Sequence, residues 1–273
     1  MILHPVQALE LVPPAIDATK PMPAWMAVAN RQKQRARAYW LVSQPDHARL
    51  SGDLAANFVS PHFPRVDTLM AHAIGVHDSG WGLFAAETGP TQPPQLGREG
   101  RPLSFMEYEA PDFVRAWSAS INSAEAVCAA GGIIVSRHFC ELGGLRLTSG
   151  GLSDEHEQLI REFREREQAR QHRLAADCPY STQQLDALLE VLKFCDLLSL
   201  YLCSGISQEV EFPHRIADRP VRVGRYRNED CYRFDPSPFQ AEGEPRLVTL
   251  GVTARYFPGN GAPKLTTLNF VLS

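Results

Sequence analysis

Neither sign of charge dominates this chain: 27 Lys and Arg stand against 31 Asp and Glu, a formal net charge of −4. Without a basic surplus there is no electrostatic case for a nucleic-acid polymer or an anionic membrane surface as partner. The nearest thing to a basic, aromatic-interleaved patch, RVGRYRNEDCYRF, mixes both signs. Long apolar runs are missing as well. A stretch such as AAGGIIV at 129–135 is far shorter than the roughly 20 residues a membrane-spanning helix needs. The opening Met1-Ile2-Leu3-His4 is not followed by the charged and apolar regions of a secretory signal in order. The six cysteines (128, 140, 178, 195, 203 and 231) form no C-x-x-C. Their mainly apolar, helical surroundings suit small buried hydrophobes in a reducing compartment. Also absent are G-x-S-x-G, a P-loop and a G-x-G-x-x-G ahead of a helix. These absences point to a cytoplasmic protein that engages neither membrane nor nucleic acid, with a homodimer left open.

What is present suits one large domain. The 273 residues are 44% hydrophobic, enough for a sizeable core. Residues 1–34 hold Pro5, Pro13, Pro14, Pro21 and Pro23 and read as a proline-rich N-terminal arm. Residues 35–273 read as a single domain, with a helical part at 35–204 and a β-rich part at 205–273. ARAYWLVS at 36–43 has strand character, and Pro45 opens a helix through HARLSGDLAANF. VDTLMAHAIGVHD keeps Val66, Leu69, Met70, Ala73 and Ile74 on one helical face, with His77 next at the same spacing. Prolines and glycines make 85–112 a long loop, of the kind that forms lids or binding segments. A helical stretch over 112–142 is expected to break near Gly131-Gly132. A charged helix follows at 152–176, capped by Ser153, then a strongly apolar one at 182–203. VRVGRYRNEDCYRF, PRLVTLGVTARYF and KLTTLNFVLS read as short strands. The expected fold is mainly α, with a small antiparallel β-sheet that the 36–43 strand completes at most.

Four helices carry a polar group on, or at the end of, an apolar stripe: His47, the His77-Asp78 pair, His138 and Asp196. An ionised carboxylate on a buried face, as at Asp196, needs a cation, an Arg or a proton. A structural salt bridge or cap answers that need as well, and a lone buried His is often a satisfied core residue. Taken together, however, His47, His77, Asp78 and Asp196 make a mixed N/O set suited to a divalent transition metal: Mn, Fe, Co, Ni or Zn. Asp46 and Asp53 are candidates to orient His47. Arg137 either neutralises an anionic substrate or makes a surface ion pair, and Trp81 either walls a pocket or packs in the core.

The order His47, His77-Asp78, Asp196 resembles the HD superfamily of metal-dependent phosphohydrolases. The phrases QPDHARLSGDLA, VHDSGWG, VSRHF and CDLLSLYLC, in that order, resemble more narrowly an HD-like bacterial family, Domain of Unknown Function 3891, over roughly residues 36–273. The resemblance implies an HD-domain-like helical bundle with His47, His77, Asp78 and Asp196 as metal ligands. It implies for His138 contact with a substrate phosphate or a second metal. Three functions are carried forward. The first is metal-dependent hydrolysis of a small anionic, phosphorylated substrate, with Asp78 and His138 catalytic and Arg137 and Trp81 binding substrate. The second is a di-iron oxygenase using His138 as a further ligand, though that pattern generally has two intervening histidines. The third is a non-catalytic sensor that holds a nucleotide or anion.

Overall fold

The computed structural model describes residues 1–6, 36–87, 92–97, 100–206, 208–216, 218–226, 230–241, 246–258 and 263–273. Among them run six α-helices: α1 (Gln44–Ala56), α2 (Thr68–Gly75), α3 (Ala110–Val127), α4 (Ala129–Ser149), α5 (Asp154–Ala175) and α6 (Thr182–Cys203). Their starts are written locally. Ser43, Asp67, Ser153 and Ser181 are N-caps whose side chains accept from the backbone N–H of Asp46, Met70, His156 and Gln184. Each satisfies a donor that the first helical turn leaves without an internal partner. The break expected at Gly131-Gly132 falls instead at Cys128, whose backbone is extended and whose Sγ caps Gly131 N at 3.3 Å. Both glycines therefore belong to the start of α4.

Seven strands form one sheet among the described residues: β1 (Ile2–Pro5), β2 (Tyr39–Val42), β3 (Val210–Ile216), β4 (Arg219–Arg225), β5 (Cys231–Asp235), β6 (Val248–Phe257) and β7 (Leu265–Leu272). Their order is β1-β2-β6-β7-β5-β4-β3. All neighbours are antiparallel except β5 and β7, which run parallel through Cys231↔Val271 and Tyr232↔Leu272. This overturns the expectation of a mainly α, HD-like bundle with a small antiparallel sheet: a curled, mixed, seven-stranded sheet stands beside the helices as a partner of similar rank. The reason lies at its edges. β1 ends in Pro5, and β3 carries Pro213 between the register shift at Glu211 and Arg215. Proline removes a ladder donor, so it argues against a strand in the sequence while being tolerated on an edge. The 36–43 strand does join, as β2 between β1 and β6.

One hydrophobic core spans helices and sheet. Leu50 and Leu54 of α1 and Leu198 and Tyr201 of α6 share it with Phe212, Val223, Tyr232, Val252 and Phe270 of the strands. Tyr201 sits at the junction, donating to Gln208 O at 2.8 Å and reaching Val223 O at 3.3 Å. The strand at Ile2–Pro5 is part of this body, with Ile2 in the main core and Leu3 in a second cluster on the other face. The rest of the proline-rich stretch, residues 7–35, lies outside the described residues. Within 85–112 the chain makes two short 3-10 turns, Ala85–Glu87 and Phe105–Glu107, and a bridge between Leu96 and Pro102.

Candidate metal centre

Four segments converge on one buried point. His47 lies in the first turn of α1, and His77 and Asp78 lie in the turn after α2. His138 comes from the middle of α4 and Asp196 from α6. His77 is thus not on the helix, as its spacing suggests, because α2 ends at Gly75. Close approach between backbones sets these positions. A Cβ on Gly52 of α1 would lie 2.6 Å from Ala71 O and 2.7 Å from Gly75 Cα, so only glycine lets α1 and α2 cross there. A Cβ on Gly80 would lie 2.0 Å from Ala116 O, while Gly80 N donates to Ser120 Oγ at 2.9 Å. The Gly80 contact docks the His77-Asp78 turn flat against α3.

The rings are nearly perpendicular, with His47 and His77 centroids 5.2 Å apart and His77 and His138 centroids 6.0 Å apart. One ligand atom from each of His47, His77 and Asp196 lies within 4.8 Å of the others. A metal held at about 2 Å from each ligand keeps them roughly 3–4 Å from one another, so small adjustments suffice. Asp78 Oδ2 is 2.9 Å from His47 Nε2 and 4.0 Å from His77 Nε2. The two oxygens of Asp196 divide: Oδ1 is 3.4 Å from His77 Nε2 and 3.8 Å from His47 Nε2, while Oδ2 is 3.4 Å from His138 Nε2. Both histidines of the trio are fully buried, and the carboxylates retain a little exposure.

Proton placement is the decisive feature. His77 Nδ1 is 2.8 Å from Ile74 O, and a carbonyl only accepts, so Nδ1 carries a hydrogen. In the neutral ring Nε2 is then a bare lone pair. It is buried and has no partner in hydrogen-bonding geometry, and the atoms it meets are carboxylate oxygens, which also only accept. A lone pair facing carboxylates is repulsive, so either Nε2 is protonated and faces Asp196 Oδ1 at 3.4 Å as an imidazolium, or a metal cation lies between them. The field points the same way. Burial disfavours the charged His77 ring, but Asp196 and Asp78 outweigh it and push its pKa up to about 9. Burial likewise disfavours ionised Asp196, yet the His138 and His77 rings hold it well below the usual carboxylate range. The donor set and this field therefore suit positive charge at the point, supplied by a proton on His77 or by a divalent cation in its place.

The other candidates part company. Trp81 is buried and acts on Asp78 directly: its Nε1–H donates to Asp78 Oδ1 at 3.1 Å, and its ring packs on Tyr108 and Phe84. Arg137 is turned to exposed Asp186, donating to it at 2.9 Å. Asp46 accepts from Ser43 Oγ and Asp53 pairs with Arg49, so neither orients His47. The group that meets His47 Nδ1 is instead Ser199 Oγ, 2.6 Å away. The sequence places Ser199 on the Asp196 face but gives no signal of its contact. A separate cleft of about 550 Å³, lined by Ser60, His62, Arg219, Arg233, Asp235 and Arg246 among others, shares no residue with the centre. Two of its arginines are already engaged, Arg219 by Asp235 and Arg246 by Asn57.

A mixed sheet on a helical core, with a buried His-His-Asp group able to take a metal ion, defines the class as a candidate metal-binding protein. Within that class, the chain belongs to a family described as proteins of unknown function (DUF3891), whose family model matches residues 30–254. No curated protein and no solved structure matches it.

Proposed function

We propose that this protein is a metal-dependent hydrolase of a small phosphorylated compound, with nucleotides among the first substrates to test. The observation that carries the reading is the convergence of His47 Nε2 and His77 Nε2 on the carboxylates of Asp78 and Asp196 at one buried point. The order of His47, His77-Asp78 and Asp196 along the chain, which resembles the HD phosphohydrolases, supports a phosphoryl substrate. When bound, a divalent cation supplies an activated water and a Lewis acid for a phosphoryl oxygen. The residues supply the rest. Asp78, its Oδ1 held by Trp81 Nε1–H, would ligate the cation through Oδ2 and help orient the attacking water. His138, whose Nε2 is 3.4 Å from Asp196 Oδ2, would stabilise developing charge or give a proton to the departing oxygen. Burial of the imidazoles keeps bulk water from screening these charges.

The test is a panel of phosphomonoesters, cyclic nucleotides and nucleoside phosphates, with Mn, Co, Ni and Mg supplied singly. Metal-dependent phosphate release or ring opening on some member is expected, with Asp78→Asn lowering its rate by about two orders of magnitude or more. Metal-dependent turnover of none of them rules out the hydrolase reading. A second reading, a di-iron oxygenase, draws on His138 at the second oxygen of Asp196. Two irons per chain with a paramagnetic signal favour it, and a single Mn, Co or Ni excludes it.

A further inference from the structure

His47 and His77 must each present Nε2 to the same point, so each must keep its proton on Nδ1. For His77 a main-chain carbonyl, Ile74 O, enforces this. For His47 the group at Nδ1 is a hydroxyl, Ser199 Oγ at 2.6 Å. A hydroxyl both donates and accepts, so by itself it leaves the tautomer open. Asp78 Oδ2, 2.9 Å from His47 Nε2, accepts a hydrogen there when no metal is bound, so the tautomer that frees Nε2 for a metal needs an acceptor at Nδ1. Ser199 Oγ–H has a main-chain acceptor of its own, Asp196 O at 2.8 Å. Ser51 Oγ, itself buried, is 3.0 Å from Ser199 Oγ and donates toward it or to His47 O at 3.1 Å and Cys195 O at 3.3 Å. With its hydrogen on Asp196 O, Ser199 would present lone pairs to His47 Nδ1–H once Nε2 is given over to a metal.

We infer that Ser199, backed by Ser51, is the positioning residue that holds His47 in its metal-binding tautomer. The arrangement also ties the two helices that carry ligands. Ser51 lies one turn after His47 on α1, and Ser199 lies one turn after Asp196 on α6, so each ligand is followed by a serine on its own helix and the two serines meet. Ser199 thus fixes the His47 ring while receiving its own orientation from the main chain of Asp196. Replacing Ser199 by Ala leaves His47 Nδ1–H buried without that acceptor. It frees the ring to move its proton to Nε2, where Asp78 Oδ2 accepts it at 2.9 Å and competes with a cation. Second-sphere partners of this kind typically govern about 10–100-fold in metal affinity.

This inference rests on the metal reading proposed above, and the experiment separates the two. Zn(II) and Co(II) affinities are measured by equilibrium dialysis for the wild type, Ser199→Ala, Ser199→Thr and Ser51→Ala. Two-bond ¹H–¹⁵N spectra of the Zn(II)-loaded proteins report which nitrogen of each histidine carries hydrogen, and thermal unfolding without metal reports the fold. Ser199→Ala is expected to bind Zn(II) about 10-fold or more weakly with little change in metal-free melting. The His47 Nδ1–H signal is expected to be lost or exchange-broadened, and the hydroxyl in Ser199→Thr to restore both affinity and signal. Ser51→Ala is expected to fall between. If the wild type binds while Ser199→Ala binds equally tightly with His47 Nδ1–H intact, Ser199 has no positioning role. If the metal-free Ser199→Ala protein melts as low as it binds weakly, and Ser199→Thr restores neither, the serine is merely structural. If the wild type binds no metal, the metal reading fails and the inference falls with it.

Discussion

Asp196 follows Phe194 and Cys195 and precedes Leu197 and Leu198, four residues with almost no exposure. A carboxylate in such company has to be matched by positive charge. The sequence shows this much, and it also shows His47, His77 and His138 as polar residues on apolar faces. What it cannot show is proton placement, which depends on contacts made across the fold: Ile74 O on His77, Ser199 Oγ on His47 and Trp81 Nε1 on Asp78. Hence Trp81 reads ambiguously as wall or core, and Asp46 and Asp53 stand in for the serine that touches His47. Trp81→Phe keeps the ring packing and deletes the N–H to Asp78. It is expected to weaken metal binding by several-fold with a melting temperature close to wild type, as measured by dialysis and calorimetry. His214, outside the centre, gives a separate check on electrostatics. It sits in β3 against the Phe194 ring, and burial, opposed by Glu190 and Asp196 and aided by Lys193, lowers its pKa to about 4. The unfolded chain takes up this proton near pH 6.5 and the folded chain only near 4. Stability is therefore full above pH 6.5 and falls as pH drops from 6.5 toward 4, by about 2 kcal/mol between pH 7 and pH 5. Urea unfolding at both pH values should show that loss reduced in His214→Phe, which fills the same aromatic site without a titrating group. An equal pH dependence in both proteins contradicts this account of His214.

At the scale of elements, most of the helices are legible because their signals are local: the cap at Ser153, apolar spacing along α6, Pro45 in the first turn of α1. In the sheet, β2 and β4–β7 are legible too, but the edge strands β1 and β3 and the strand order are not, because strand identity at its edges is settled by pairing. Pro5 and Pro213 suppress the strand signal where only partners on one side are needed. The parallel contact of β5 with β7 joins segments with β6 between them in sequence, which no local pattern reveals. Two glycines in the metal-bearing segments carry a role that sequence gives as mere turn or helix punctuation. In Gly52→Ala, helix propensity favours alanine by about 1 kcal/mol. The added Cβ meets main-chain atoms of α2 at 2.6–2.7 Å, and forcing backbones apart costs about 1–3 kcal/mol. The clash is expected to win, giving net destabilisation and a displaced His47. Gly80→Ala, with its tighter contact on Ala116 O, should be the more severe, losing about 2–3 kcal/mol in urea unfolding together with metal affinity. Unchanged stability in both variants contradicts the close packing of α1 on α2 and of the His77-Asp78 turn on α3.

For the whole molecule, one core joins helices and sheet, so the strands after Gly205 are part of the body that carries the centre. Metal binding should then stabilise the entire chain. At a free metal concentration of 100 times Kd the gain is about 2.7 kcal/mol, which for a domain of this size raises the melting temperature by about 5 °C. A single unfolding transition that moves as a unit on adding metal is expected. A transition that splits, with only its helical part shifting, contradicts the shared core. The central claim is that His47, His77, Asp78 and Asp196 hold a divalent cation. Elemental analysis of the purified wild type beside Asp196→Asn tests it most directly, after each is incubated with Mn, Fe, Co, Ni and Zn in turn. The account predicts about one or more metal ions per chain in the wild type and little or none in the variant, with both proteins folded. Equal metal content in the two, or none in the wild type, contradicts it.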